Sequence, residues 1–184
     1  MRILVAYASR HGATQGIAER IAETLAACGH PAEARPVKDV GDPAGYDAFV
    51  LGSAVYMFHW LKEFTRFVHR HETLLAARPL WLFSSGPLGT DKVDKQGRDV
   101  LEVSQAKDTV QVLERTKARG HVMFFGAWTR GKPVGLAERF VEHMPAARDA
   151  MPEGDYRDWQ AIEAWAAGIA KELEGSHVPS ADQR

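Results

Sequence analysis

The chain has 184 residues, 45% of them hydrophobic and 26% charged, with 23 Lys+Arg against 24 Asp+Glu for a formal net charge of -1. This length and balance suit one domain with a sizeable core, argue against extensive disorder, and leave no Lys/Arg block that would mark a nucleic-acid partner. The single cysteine, Cys28, excludes an intramolecular disulfide and a Cys-based metal cluster, and no apolar run reaches the roughly 20 residues of a membrane span.

Met1-Arg2 leads straight into the apolar run Ile3-Leu4-Val5-Ala6-Tyr7-Ala8. With no basic region, apolar stretch and cleavage site ahead of that first strand, the sequence predicts a cytoplasmic protein whose contact with any membrane is peripheral. Ser9-Arg10-His11-Gly12-Ala13-Thr14 follows, and an amphipathic helix is expected over 14–27. A strand-to-helix loop of this kind presents unpaired N–H groups and the positive end of a helix dipole, which a phosphate satisfies. Ser9 and Thr14 add hydroxyls, and Gly12 lets the backbone approach a ligand closely. The plainer alternative is a turn with a Thr cap.

Cys28, beside Gly29 at the helix end, reads as a small packed residue. Residues 32–37 form a more polar strand suited to a sheet edge, and 48–53 a continuous apolar strand of the kind buried on both faces, ended by Gly52-Ser53. The connection that follows carries Tyr56, Phe58 and Trp60. Phe58 and Trp60 are expected to enter the core at the start of a helix over 60–75, and Tyr56 to stand free for stacking.

A fourth strand begins at Leu80 and runs into the small-residue loop Ser84-Ser85-Gly86-Pro87-Leu88-Gly89. Residues 90–107 are charged and aperiodic, a surface loop or lid with at most one helical turn. A helix over 108–118 is expected to open on Asp108, turn Val110, Val112, Leu113 and Thr116 inward, and close at Gly120. A fifth strand spans 121–127, a basic aromatic connector 128–133, a short helix 136–144, a loop 145–154, and a last helix beginning over 155–159. That helix has Ile162, Trp165, Ile169 and Leu173 along one face, and residues 175–184 read as a disordered tail to a domain of residues 1–174.

Five strands alternating with helices give an α/β fold, one parallel sheet covered on both faces. Two glycine-rich phosphate motifs, G-x-G-x-x-G and the P-loop, are not present. A hydroxyl residue, two variable positions, Gly, one more and Thr directly after the first strand resembles the flavodoxin superfamily, whose loop holds the 5′-phosphate of FMN. The resemblance implies a flavodoxin-like three-layer sandwich with strand order 2-1-3-4-5, and ligands collect at the switch point beside the first strand. It assigns cofactor contact to Ser9, Arg10, His11, Gly12, Ala13 and Thr14, to Ser53, Ala54, Val55 and Tyr56, and to Ser85, Gly86, Pro87, Leu88 and Gly89.

Residues 50–56, the aromatic-rich helix start, and Asp155-Tyr156-Arg157-Asp158-Trp159 are similar to the bacterial menaquinone-dependent protoporphyrinogen IX dehydrogenases, a flavodoxin branch. That implies an FMN enzyme moving electrons from a flat reduced substrate toward a quinone, with no dedicated acid–base pair required. His11 departs from the Thr, Asn or Asp that flavodoxins often place there, and the third loop lacks a flanking aromatic, which leaves one flavin face accessible. Trp128, Arg130 and Lys132 are the candidates for substrate binding, the last two through its carboxylates.

A flavodoxin-type electron carrier docking to redox partners is the alternative, and the near-neutral charge lowers it, because carriers of this kind use an acidic surface to steer partners. A receiver-like signalling domain would need clustered acids after the first strand, where Ser9-Arg10 stands, and an Asp after the third, where Gly52-Ser53 stands. His69 and His71, two residues apart on a helix, face different sides and do not make a metal site.

Overall fold

Ile3–Ala8 (β1) is buried along its whole length, and the strands that flank it build the sheet outward from it. The computed structural model describes residues 1–129 and 153–175. Ala32–Pro36 (β2) and Ala48–Tyr56 (β3) pair parallel with the two edges of β1, opposite Ile3 at Ala32 and Ala48. Leu80–Ser85 (β5) adds to β3, and Gly120–Phe124 (β6) to β5, both parallel. The order β2-β1-β3-β5-β6 is the expected five-stranded one. The strand numbered β4, His59–Trp60, is a short antiparallel return on the end of β3.

Period-2 alternation sends consecutive strand residues to opposite layers. Val5, Val50 and Phe83 pack with Ile17, Ile21 and Leu25, spaced four apart along Ala13–Ala27 (α1), and with Ile162, Ile169 and Leu173 of Trp159–Gly175 (α6). Leu4, Leu51 and Leu82 pack on the other side with Phe64 and Val68 of Lys62–Arg70 (α2) and Leu75 of Glu72–Ala76 (α3). Removing one such aliphatic or aromatic side chain from water contributes roughly 1.5–3 kcal/mol, so these two clusters carry the three-layer arrangement. Val100–Val103 (α4) is the one helical turn expected within 90–107, and Thr109–Thr116 (α5) follows.

Several local expectations are corrected. Gly52 does not end its strand. β3 runs on to Tyr56, and residue 52 is glycine because a Cβ there would collide with the Phe83 ring lying across it. Trp60 belongs to β4, and the expected single helix starts at Lys62 and breaks at His71. Lys117, at φ 52°, ends α5, and Gly120 opens β6 instead. Val110 is 65% exposed, because the buried positions of α5 are Thr109 and Thr116. Cys28 is exposed. The helix proposed over 136–144, the loop up to residue 152 and the tail from 176 lie outside the described residues.

Gly52→Ala is expected to lower the unfolding free energy by roughly 1–3 kcal/mol in urea titrations, the usual cost of forcing volume into a packed site. Partial recovery in Gly52→Ala/Phe83→Leu would identify the ring as the cause.

Candidate functional site

The carboxyl ends of β1, β3 and β5 open on one cleft. Ser9, His11, Ala13 and Thr14 line it from the first loop, Ala54, Val55 and Tyr56 from the second, and Ser85, Gly86 and Leu88 from the third. Arg10 and Gly12 face an adjoining recess that shares Ser9. Pro87 and Gly89 are not on the cleft wall; the carbonyl of Pro87 accepts a bond from Gly126 N at 2.8 Å. Ser53 is fully buried below the cleft, where its hydroxyl accepts from Leu61 N at 3.1 Å and donates to the Ala54 carbonyl at 2.9 Å.

The first loop turns on Gly12, whose φ of 86° is in the left-handed region and whose missing Cβ faces open space. As N-cap of α1, Gly12 supplies no side-chain bond, and the first turn holds no acidic residue. The first-turn N–H groups therefore keep both their donors and their positive end for an anion. Ser9 Oγ accepts from Gly12 N at 3.1 Å and still has its own proton to give. Thr14 and Ser85, both buried, are joined hydroxyl to hydroxyl at 2.8 Å, which fixes the first loop to the third. This donor set fits a phosphate.

The second loop is a two-residue hairpin, with Val55 opposite Trp60 and Tyr56 opposite His59. Met57 and Phe58 at its tip have φ of 50° and 63°, values that hairpins of this length usually give to Asn and Gly. They are 87% and 51% exposed, so Phe58 does not enter the core as expected. Trp60 does, donating from Nε1 to Ser84 Oγ at 2.8 Å. Tyr56 is half-buried with the Arg10 guanidinium 4.9 Å from its ring centre.

The fourth wall was not foreseen as such. Ala127–Trp128 (β7) pairs antiparallel with Gly154–Asp155 (β8), and Gly126, Ala127 and Trp128 close the cleft opposite the second loop. Trp128, expected at the substrate, is thus a buried wall residue of this cleft, while Arg130 and Lys132 lie outside the described residues. The Asp155–Trp159 stretch secures this wall. Arg157 makes a bidentate pair with Asp155 at 2.7 and 2.6 Å, reaches the Ala13 carbonyl at 3.3 Å, and lies over the Trp159 ring. These bonds hold the Asp155 carboxyl below its ordinary range. Contiguous acid and base in that stretch were the available signal, but their partner on α1 was not readable from spacing.

On the far face of β5, Ser84 also bonds His121 Nε2 at 2.9 Å. Burial pushes His121 down to about 4 from 6.5. Among the described residues no three His, Cys, Asp or Glu side chains stand together as metal ligands; His71 packs on the Phe67 ring.

The Flavodoxin domain pattern matches residues 4–146, and the chain belongs to that family. A protoporphyrinogen IX dehydrogenase [quinone] of Escherichia coli K12 is 30% identical over 86 residues, 46% of this chain and 48% of that protein, so the match spans about half the length of such curated relatives. Among solved structures, a flavodoxin from the domain Archaea aligns with a TM-score of 0.58 at 14% identity, over 95% of this chain and 99% of that one. Flavodoxin 2 of Bacillus cereus aligns with a TM-score of 0.59 at 19% identity, over 94% and 99%. The fold is the flavodoxin fold, and the chain is a flavodoxin-like redox protein.

Two outcomes follow from this geometry. An unfolded chain protonates His121 near 6.5 and the folded one only near 4, so between those values the unfolded state binds more protons and stability rises with pH. The contribution is fully present above about 6.5 and lost as pH falls toward 4, roughly 3 kcal/mol in all; urea midpoints from pH 4 to 7 should show it, and His121→Gln should flatten that slope. Replacing the hairpin tip by Met57→Asn and Phe58→Gly should raise stability by about 1 kcal/mol per position in thermal unfolding, since both backbone conformations suit the new residues.

Proposed function

We propose that the chain is an FMN-dependent oxidoreductase that oxidises protoporphyrinogen IX, or a reduced substrate equally flat, and delivers the electrons to a quinone. The observation that carries it is the cleft itself, in which an uncapped helix N-terminus and three loops meet at the carboxyl edge of a flavodoxin sheet. The partial likeness to the Escherichia coli enzyme supports the choice of substrate and acceptor.

Ser9, Gly12, Ala13, Thr14 and their neighbours Arg10 and His11 would hold the phosphate through backbone N–H groups and the Ser9 hydroxyl. Ala54, Val55 and Tyr56 on one side and Ser85, Gly86 and Leu88 with Trp128 on the other would hold the ring system, while Ser53 fixes the second loop from below. When bound, FMN supplies the two-electron chemistry. The protein's part is to orient substrate and exclude water: the buried Trp128 and the Tyr56 ring present apolar surface on which a flat reactant gains stacking and dispersion. Arg130 and Lys132 are the sequence's candidates for the substrate carboxylates. A quinone dissolved in a membrane, as acceptor, calls for peripheral contact with that membrane, and a cytoplasmic location goes with this reading. No described helix is long and apolar enough to cross a membrane.

The purified protein is expected to show a flavin spectrum and to release FMN on denaturation. Gly12→Val should weaken FMN binding at least tenfold in a fluorescence titration, with the fold retained, because a β-branched residue resists positive φ. Anaerobic addition of protoporphyrinogen and a menaquinone analogue should then yield fluorescent porphyrin only when both are present. Bound FMN without porphyrin formation, but with rapid reduction by partner reductases, would establish the electron carrier instead.

A further inference from the structure

A second depression adjoins the cleft and shares one wall with it. It encloses about 630 Å³ on the outer side of Tyr56, and Arg10, Lys62, Arg66, Glu63 and Asp108 bring the charges around it. Tyr56 therefore divides two spaces, the cleft on its inner side and this groove on its outer side. The partition is reinforced by the Arg10 guanidinium, 4.9 Å from the ring centre.

Lys62 and Arg66 are four residues apart on α2, which sets them on one helix face above the groove. Both are exposed, and neither forms an ion pair with a described residue, whereas Arg20, Arg98, Arg115 and Arg157 all do. The N-cap of the same helix is Leu61, which offers no side-chain bond to the first turn. Two cations and an uncapped helix start thus converge on a space next to the cleft, against the carboxylates of Glu63 and Asp108. Arg66 has the planar fork that matches a carboxylate, and Lys62 a mobile point charge.

We infer that this groove is the carboxylate subsite of the redox substrate: a flat molecule meets the cleft beside Tyr56 and extends an acidic arm over that ring to Lys62 and Arg66. The inference rests on the oxidoreductase reading above and adds the place on this chain where the acidic arm of that flat substrate is held. It assigns to α2 a recognition role that residue types alone suggested only for the segment after β6. Exposed Met57 and Phe58 stand next to Tyr56 on the hairpin tip and offer apolar surface to the body of such a molecule.

The test is an equilibrium titration of the full FMN-loaded chain with two probes, protoporphyrin IX and its dimethyl ester, followed by porphyrin fluorescence. The free acid should bind more tightly than the ester, and added salt should weaken only the acid. Lys62→Ala/Arg66→Ala should weaken the acid about tenfold and leave the ester and FMN affinity unchanged. Glu63→Gln, which removes a competing negative charge, should tighten the acid, so that the subsite is probed by a gain as well as a loss. Acid binding unmoved by all three substitutions, or acid and ester weakened alike, would overturn the subsite while leaving the oxidoreductase reading intact. A wild-type protein that holds FMN but binds neither probe would overturn the porphyrin substrate and the subsite together.

Discussion

The hydroxyls of Thr14 and Ser85 meet at 2.8 Å with both residues buried, one at the start of α1 and the other at the end of β5. A buried hydroxyl without a partner costs about 1–3 kcal/mol, so each residue holds the other in place. That bond spans β3, which lies between β1 and β5 and carries the second loop, and it ties the helix start to the sheet. The positive end of α1 can serve an anion only if it stands at the cleft, and the Thr14–Ser85 contact puts it there. Arg157 adds a second tie from α6's approach segment to the Ala13 carbonyl.

Ser84, one residue earlier, does for the opposite face what Ser85 does for this one. Its hydroxyl accepts from Trp60 and bonds His121. Consecutive strand residues point to opposite layers, so the end of β5 is bonded from both sides. Such a network is rigid when every member is satisfied and expensive when one is removed. Keeping His121 neutral is part of that satisfaction, since an imidazolium here would lose water without gaining a carboxylate.

Much of this was readable from the chain because the informative residues were contiguous. The first loop needs only a strand, a hydroxyl, a glycine and a helix in that order, and each is a local feature of residues 3–27. The strand order, by contrast, came from the family resemblance that this loop carries. Long-range contacts were not readable. Gly52 looked like a strand end, since a glycine after an apolar run usually is, but its reason is the Phe83 ring from another strand. Phe58 and Trp60 have the same spacing signal, and only the hairpin separates them, turning one outward and the other onto Ser84. Gly126 and Ala127 became wall residues through pairing of β7 with β8, a match of two short segments with little composition to advertise it.

The rim of the cleft obeys a different rule from its floor. Below, the hydroxyls of Thr14, Ser53 and Ser85 are buried and bonded; above, two large apolar residues sit in left-handed conformations and face solvent. Non-glycine residues in that region cost on the order of 1–3 kcal/mol each, and folding alone gives no return on exposed side chains. The conformation persists because the hairpin register and the bond from Lys107 N to the Phe58 carbonyl, at 3.0 Å, over-determine it. That bond also attaches the tip to the charged segment 90–107, so the hairpin and that segment move or hold together. A rigid floor suits a cofactor that stays, and a strained apolar rim beside a charged groove suits a reactant that comes and goes.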